Sequence, residues 1–383
     1  MADLTNADFM SPYEVQKYLS GVIKGNTSPS QTWLQDKFGN RDVTEEPTFN
    51  VDREADQKNV MGQYVHPKAD AGYIQLPDFG TQEMRFAYAK EGIQSDDFIS
   101  LNQRQLGDAF GQIDVNSNDA RNLAKKLSNA LAAFANLKEA AARDILIYGT
   151  HTATSPKFAP VAWNFNRTVV TTDAGYLTGI VPQIDLTTLN GNGGVGKRAW
   201  GSTGGTVVPT PVKDLIKIVN TARRRGLPID SILMSGNAYE AFEADIIANY
   251  TKAYDMTQLV EARIVAQILP KVEKYQTLNF RRSFPVGDGT YVDIYTYDAV
   301  YNDRITGVQT KYVPDGYVVS IPSPNNQLIR YGRILHRKAR WGAMPIWVNT
   351  WTDSKTGEIE QELHTSYVMA PWDVNSVVSW KVM

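Results

Sequence analysis

A glycine-rich stretch at residues 191–197, with the sequence GNGGVGK, has the spacing most suggestive of chemistry. It fits both the dinucleotide pattern G-x-G-x-x-G and the phosphate-loop pattern G-x-x-x-x-G-K, in which a helix N-terminus holds phosphate. Arg198, however, stands where a phosphate loop needs serine or threonine for magnesium, and Gly201, Gly204 and Gly205 oppose a helix directly afterwards. We therefore predict a flexible loop, and a nucleotide-binding enzyme is the least favoured alternative.

A second stretch, Asp114–Asp119, begins like a calcium-binding loop and then departs from that pattern. Asp119 occupies the position that needs glycine, and Lys125 occupies the position that needs a bidentate glutamate. The start of a helix is the better interpretation. None of the four histidines has a second histidine within a helical turn: His66, His151, His336 and His364.

The absence of cysteine excludes disulfides, thiolate catalysis and cysteine-bound zinc. No other group of residues has the spacing of a catalytic site. We therefore predict a protein that is not an enzyme, with no catalytic residue, metal site or cofactor.

The charge balance, 39 basic against 41 acidic residues with no block of like charge, shows no electrostatic footprint for sequence-specific DNA binding or an anionic membrane. No apolar run approaches the 18 residues of a membrane span. With 383 residues, 42% of them hydrophobic, the chain can bury a sizeable core. We expect a soluble product with no membrane partner.

A long helix from Asp119 to Tyr148 is the element best suited to organise the fold. It would be about 45 Å long at ~1.5 Å per residue. We predict Asn118 as its N-cap and Gly149 as the left-handed residue after its end. Its predicted apolar stripe consists of Leu123, Leu127, Ala130, Phe134, Leu137, Ala141, Ile145 and Tyr148, and its predicted polar face of Arg121, Lys125, Lys126, Glu139 and Arg143.

Two extensions precede this helix. A capped helix begins near Ser11, and a polar segment with apolar anchors such as Trp33, Leu34 and Phe38 follows, so we predict an arm that orders against its own or a neighbouring subunit. Two extended runs, from Tyr64 to Ile74 and from Met84 to Tyr88, flank a predicted turn at Leu76–Gly80. Neither run can fill a core, so this long hairpin needs a partner surface.

After the helix, helices and strands alternate over residues 206–325, which predicts an α/β or α+β domain. We predict helices that begin at Pro211, after a cap at Asn237, and over residues 257–269. The strands are Ile232–Met234, Tyr291–Tyr297 with Val292 and Ile294 buried, and Tyr317–Ile321. Residues 328–383 are strand-rich and are expected to return along the long helix.

The arm, the hairpin and the long helix each expose apolar residues that one compact subunit could not cover. This surplus predicts assembly with further copies of the same chain.

In this order, the elements resemble the major capsid proteins of tailed bacteriophages, which have the Hong Kong 97-type fold, and within them the lambda-type protein. The resemblance covers nearly the whole chain, and the order and spacing of its short pieces carry it. These pieces are Tyr13–Ile23, Tyr64–Pro67, Leu146–Gly149, Val313–Val319, Tyr331–Ile334, Pro345–Val348 and Met369–Trp372.

The resemblance implies an α+β fold with five parts. These are an N-terminal arm (1–58), an extended hairpin loop (59–105), a peripheral domain with the spine helix (106–185), an axial α/β domain (186–325) and returning strands of the peripheral domain (326–383). The glycine-rich insert in the axial domain has no counterpart in the family pattern. By position, the tip of the hairpin, which would lie over a neighbour during assembly, consists of Leu76, Pro77, Asp78, Phe79, Gly80 and Thr81.

The resemblance also implies an icosahedral head shell of hexamers and pentamers that packages a double-stranded DNA genome and contacts it non-specifically. The subunit would occur in the virion, and in the host cytoplasm during assembly. No long acidic helical prefix precedes the arm, so we expect a separate scaffolding protein, together with a portal and a possible decoration protein. The alternative from this fold is an encapsulin-like compartment that houses an enzyme.

Overall fold

The computed structural model of the chain describes residues 32–54, 79–94, 115–155, 158–165, 169–170, 183–186, 199–200, 209–224, 229–250, 278–287, 290–303, 307–321, 327–352, 359–371 and 377–383. The helices in these residues are α1 (Val115–Tyr148), α2 (Pro211–Arg224) and α3 (Gly236–Asp245), with short helical turns at Gln35–Lys37, Ile246–Tyr250 and Arg337–Ala339. The strands are β1 (Asn40–Val43), β2 (Thr48–Glu54), β3 (Phe79–Arg85), β4 (Ala87–Gln94), β5 (Thr150–Ser155), β6 (Phe158–Asn164), β7 (Val169–Val170), β8 (Gln183–Asp185), β9 (Ser231–Met234), β10 (Leu278–Gly287), β11 (Thr290–Tyr297), β12 (Val300–Asn302), β13 (Gln309–Lys311), β14 (Tyr317–Ile321), β15 (Gln327–Tyr331), β16 (Trp347–Thr352), β17 (Ile359–Pro371) and β18 (Ser379–Lys381).

The long helix α1 is present, with its end as predicted and its start earlier than predicted. Gly149 has a φ of +68°, and its N–H donates to the carbonyl of Ile145 at 3.1 Å, so the predicted helix end is confirmed. Asn118 lies inside the helix, which begins at Val115, so the predicted N-cap is wrong.

The buried face of α1 is mostly the predicted one. Leu127, Ala130, Phe134, Ala141 and Ile145 are all buried, whereas the side chain of Leu123 lies outside the described residues. Two assignments are wrong.

Leu137 is 42% exposed because it lies roughly 80° around the helix from Ile145, at about 100° per residue. Glu139, which we assigned to the polar face, is fully buried. The reason is that Trp33, Leu34 and Gln35, which precede β1, cover the side of the helix on which Glu139 lies.

A five-stranded sheet packs beside α1. Its path is β1, β15, β17 and β16, and β4 pairs with β17 as well. The strand β17 is the centre of this sheet, because it pairs with β15, β16 and β4 along its length. Residues from the sheet and from α1 form one small core: Ile93, Leu127, Ala130, Phe134 and Leu363.

A seven-stranded sheet in the order β10, β11, β9, β14, β18, β8 and β7 forms the second layer. Its core with α2 and α3 includes Val292 and Ile294, both 0% exposed as predicted. The helix α2 begins at Pro211 as predicted. For α3 the cap residue is Ser235, and the side chain of Asn237 instead accepts N–H groups of Ala238 and Gly316, so the predicted Asn237 cap is wrong. Residues 257–269 lie outside the described part of the chain.

The last strand, β18, pairs antiparallel with β14 and parallel with β8 in the seven-stranded sheet, although we expected it to return along the long helix. The reason is its alternation, since Val378, Trp380 and Val382 are all buried in the core of that sheet. Ser379 between them donates its hydroxyl to the carbonyl of Ile147 in α1 at 2.6 Å. The C-terminal strand therefore joins the helix to the second sheet.

We expect Gly316→Ala to lower the free energy of unfolding by about 2 to 4 kcal/mol, since strain and overpacking add there. Gly316 has a φ of +76°, and a Cβ built on it would lie 2.7 Å from the Cβ of Met383. The control is Gly307→Ala, which has a φ of +68° but no atom within 4 Å of the new Cβ, and so carries only the backbone strain. Urea denaturation of both variants measures the difference, and equal losses would contradict the steric argument.

Candidate functional site

The predicted hairpin tip is only partly described. Leu76, Pro77 and Asp78 lie outside the described residues. Phe79, Gly80 and Thr81 lie in β3, where the structure pairs them with Glu54, Arg53 and Asp52. These three positions therefore belong to a regular antiparallel ladder and not to a turn.

The ladder of β2 with β3, which we name the ribbon, is a strand pairing that the sequence did not predict. Its first strand, Thr48–Glu54, belongs to the segment predicted as an arm. Apolar and polar residues alternate in Phe49, Asn50, Val51 and Asp52, which is typical of a strand. This alternation could have predicted β2 from the sequence. The predicted partner run, residues 64–74, lies outside the described residues.

One end of the ribbon is fixed in the main core. Phe49 and Met84 are buried, and the guanidinium of Arg330 lies 4.6 Å from the ring centre of Phe49. The indole N–H of Trp163 donates to the carbonyl of Arg85 at 2.9 Å. This end of the ribbon is thus anchored in the body of the subunit.

The strand β4, which follows the ribbon, is held to β17 by a polar cluster as well as by the ladder. Tyr88 Oη lies 2.5 Å from His364 Nδ1, and His364 Nε2 lies 3.3 Å from Glu362 Oε2. Lys90 pairs with the same carboxylate at 2.5 Å. Burial, with a smaller contribution from Lys90, lowers the pKa of His364, so this imidazole is neutral at physiological pH.

The segment before β1 packs into the body of its own subunit. Trp33, Leu34 and Phe38 are buried in the same core as Ala141 and Ile145 of α1. This is one of the two docking modes that we predicted for the arm. The remainder of the arm, up to residue 31, lies outside the described residues.

Glu139 is the residue that fastens this segment to the helix. Its Oε1 accepts the backbone N–H groups of Trp33 at 2.9 Å and Leu34 at 2.7 Å, and its Oε2 accepts that of Gln35 at 2.8 Å. The hydroxyl of Tyr297, from β11, donates to Oε1 at 2.8 Å. One carboxylate thus joins three parts of the chain that are more than 100 residues apart in sequence.

Burial shifts the pKa values of the ionisable side chains at this junction. Burial raises the pKa of Glu139 to about 7, although the four hydrogen bonds oppose that rise. Burial, together with the Glu139 carboxylate, also raises the pKa of Tyr297. The neighbouring Lys138 is buried too, with its ammonium over the ring of Tyr331 at 4.9 Å, and burial lowers its pKa to about 8. The junction is therefore sensitive to pH near neutrality.

The described residues contain no group of three or more histidine, cysteine or acidic side chains able to hold a metal. None of the described helices is long and apolar enough to cross a membrane. Residues 115–119 are helical, which excludes a calcium loop there. The glycine-rich stretch at 191–197 lies outside the described residues.

Comparison with protein families gives a match over residues 195–382 to the model of phage major capsid protein E. No curated protein sequence matches the chain.

Among solved structures, a prophage protein of Escherichia coli CFT073 assigned as a capsid protein has a TM-score of 0.63 at 13% identity, with 96% of this chain and 99% of that chain covered. The capsid of cyanophage P-SCSP1u has a TM-score of 0.47 at 7% identity, covering 93% and 90%. The SrpI encapsulin of Synechococcus elongatus PCC 7942 has a TM-score of 0.41 at 10% identity, covering 95% of each chain.

The first of these structures shares its fold with nearly the whole chain, and the expected α+β fold of the Hong Kong 97 type is confirmed. The family match adds the functional class. Residues 195–382 thus match a family of phage major capsid proteins, and nearly the whole chain has the fold of a tailed-phage major capsid protein, the structural protein that forms the phage head.

Proposed function

We propose that this subunit forms hexamers and pentamers that close into an icosahedral shell around a double-stranded DNA genome. The match of residues 195–382 to the capsid family is the observation that carries this proposal. The apolar residues that one subunit leaves exposed support it, among them Leu137, Tyr291 and Trp341.

In this proposal α1 and the five-stranded sheet form the peripheral domain, and the seven-stranded sheet with α2 and α3 forms the axial domain at the capsomer axis. The two proposed domains contact each other at Glu139 of α1, which accepts the hydroxyl of Tyr297 from the seven-stranded sheet. The ribbon is the base of an extended loop that lies over a neighbouring subunit.

The proposed partners are a scaffolding protein and a portal, with a decoration protein as a further candidate and with assembly in the host cytoplasm. Contact with the packaged DNA would be non-specific. The nearly neutral chain, with a formal net charge of −2, supports weak rather than tight DNA binding.

Negative-stain electron microscopy of the chain, expressed alone and with its neighbouring genes, tests the proposal. Closed shells that need the neighbouring genes are the expected result. Closed shells from the chain alone that enclose a protein cargo would favour an encapsulin-like compartment instead. A monomer in both samples would contradict both interpretations.

The loop tip gives a separate prediction. We expect that replacing Leu76, Pro77 and Asp78 by Gly-Ser-Gly leaves subunit folding unchanged but lowers the yield of closed shells at least roughly tenfold, because an isolated hairpin gains stability only on a partner surface. The variant keeps Phe79–Thr81, which pair with β2.

The matched control for that variant places the same Gly-Ser-Gly sequence at residues 353–355, between β16 and β17. Thermal unfolding reports folding, and sucrose-gradient sedimentation reports shells. Normal shells from the tip variant would remove the role proposed for these residues.

A further inference from the structure

The loop between β15 and β16 is exposed, basic and apolar at once. We name residues 333–341 the basic loop. Two large apolar side chains stand in solvent, Leu335 at 65% and Trp341 at 52% exposure. No acidic residue occurs between residues 331 and 352. The exposed cations of the loop are Arg333, Arg337, Lys338 and Arg340.

The basic loop has a defined conformation. The backbones of Arg333 and Ala343 form an isolated antiparallel β-bridge, and the N–H of Ile334 donates to the carbonyl of Gly342 at 3.0 Å. Arg340 and Trp341 both have left-handed backbone angles, with φ of 51° and 59°, which is costly for residues with a Cβ. A loop whose backbone is held in this way loses little backbone entropy on binding.

A second exposed segment has the opposite charge. Residues 42–47, which we name the acidic segment, contain the exposed carboxylates of Asp42, Glu45 and Glu46. Val43 within this segment is 47% exposed. The charge of the acidic segment is therefore complementary to that of the basic loop, and Val43 also offers an apolar contact.

The two features lie side by side at one end of the five-stranded sheet. The strands β1 and β15 are parallel neighbours, with Val43 opposite Tyr331, so both strands finish at the same end of the sheet. Arg330 pairs with Asp42 at 2.8 Å, and Arg333 reaches Glu45 at only 4.0 Å. Within the described residues, Arg337, Lys338 and Arg340 make no ion pair.

We propose that the basic loop of one subunit docks onto the acidic segment of a second copy of this chain, with Trp341 and Leu335 as apolar anchors. The inference rests on the proposed shell function and deepens it. Adjacent patches of opposite charge make this end of the subunit self-complementary, so that each of two copies can both give a basic loop and receive one.

The composition of the loop favours a protein partner over nucleic acid. Tryptophan and arginine are the residues that most often dominate protein interfaces, and exposed leucine adds nothing to a contact with phosphate. The occupant must also carry carboxylates, which the acidic segment supplies.

A charge-swap experiment in the full chain tests this docking. We expect the double variant Arg337→Glu with Lys338→Glu to fold normally and to lower shell yield at least roughly tenfold, because like charges then face each other across the contact. The double variant Glu45→Lys with Glu46→Lys should fail in the same way. The four changes combined should restore most of the shell yield.

The control is Lys213→Glu on α2, an exposed cation far along the chain from both segments, which should leave the yield unchanged. Sedimentation equilibrium of the purified proteins gives a second readout that needs no shells. Association of the wild-type chain should weaken as NaCl is raised from about 0.05 to 0.5 M, and the combined variant should regain it.

Normal shells from both double variants, or no rescue in the combined variant, would overturn the proposal while leaving the shell function intact. Normal shells with less DNA would assign the basic loop to the genome instead and would also overturn it. Failure of the wild-type chain to form shells would count against the shell function, and sedimentation would still decide whether the two segments meet.

Discussion

Replacing Glu139 by alanine is expected to lower the free energy of unfolding of the subunit by about 3 to 5 kcal/mol. The change removes the acceptor of three backbone N–H groups, those of Trp33, Leu34 and Gln35, and an acceptor of the hydroxyl of Tyr297. A buried donor left without a partner costs about 1 to 3 kcal/mol, and water that enters the new cavity recovers part of this.

Urea denaturation, followed by tryptophan fluorescence, measures that loss, and Trp33 is one of the eight tryptophans that contribute to the signal. The control is Glu83→Ala in β3, where the side chain is exposed. We expect the control to change stability by less than about 0.5 kcal/mol. A loss of similar size in both variants would mean that Glu139 does not hold the arm segment.

The same carboxylate predicts a dependence of stability on pH. Burial raises the pKa of Glu139 from its ordinary 4.5 to about 7, so between these values the folded chain holds a proton that the unfolded chain has released. The stabilising effect of that proton is complete below about pH 4.5 and is lost as pH rises through about 7. The full loss amounts to about 3 kcal/mol, since one pKa unit corresponds to ~1.4 kcal/mol.

Comparing the wild-type chain with Glu139→Gln isolates this effect, because glutamine keeps the shape but cannot ionise. The stability of the wild-type chain relative to the variant should fall steadily between about pH 5 and 7. Burial lowers the pKa of His364, which gives the opposite trend, but His364 is present in both proteins and cancels from the difference. A difference that does not change with pH would contradict the raised pKa.

Local patterns in the sequence predicted those elements whose signals lie within a few residues. Gly149 ends α1 because only the local backbone decides it. The strand Tyr317–Ile321 has its predicted bounds, since its apolar run and the preceding turn are adjacent in sequence. The order of such elements was also enough to indicate the capsid fold.

The parts that failed depend on residues far away in the chain. Glu139 was placed on the polar face because a charge is rarely buried, and its partners lie 104 to 106 residues earlier. Helical periodicity gives the direction of an apolar face but not its width, so it could not show that the arm covers this flank. The pairing of β2 with β3 is likewise non-local, and the weak alternation of Thr48–Glu54 alone did not reveal it.

The core of α1 gives the second large effect. We expect Phe134→Ala to lower the free energy of unfolding by about 3 to 5 kcal/mol and Leu127→Ala by about 2 to 5 kcal/mol, because each removes a filled volume from the core. Phe134 is 2% exposed and Leu127 is 0% exposed, and both pack with Ile93 and Leu363 of the five-stranded sheet.

Leu137→Ala is the matched control on the same helix, since the residue type and the element are unchanged and only the burial differs. At 42% exposure, it should cost less than about 1 kcal/mol in the isolated subunit. Urea denaturation of the three variants under one set of conditions measures all three values. If Leu137→Ala cost as much as Leu127→Ala, the buried face of α1 would be wider than the structure has it. If all three were nearly neutral, the helix would not be the core of this domain, and its length would then serve only contacts with other subunits.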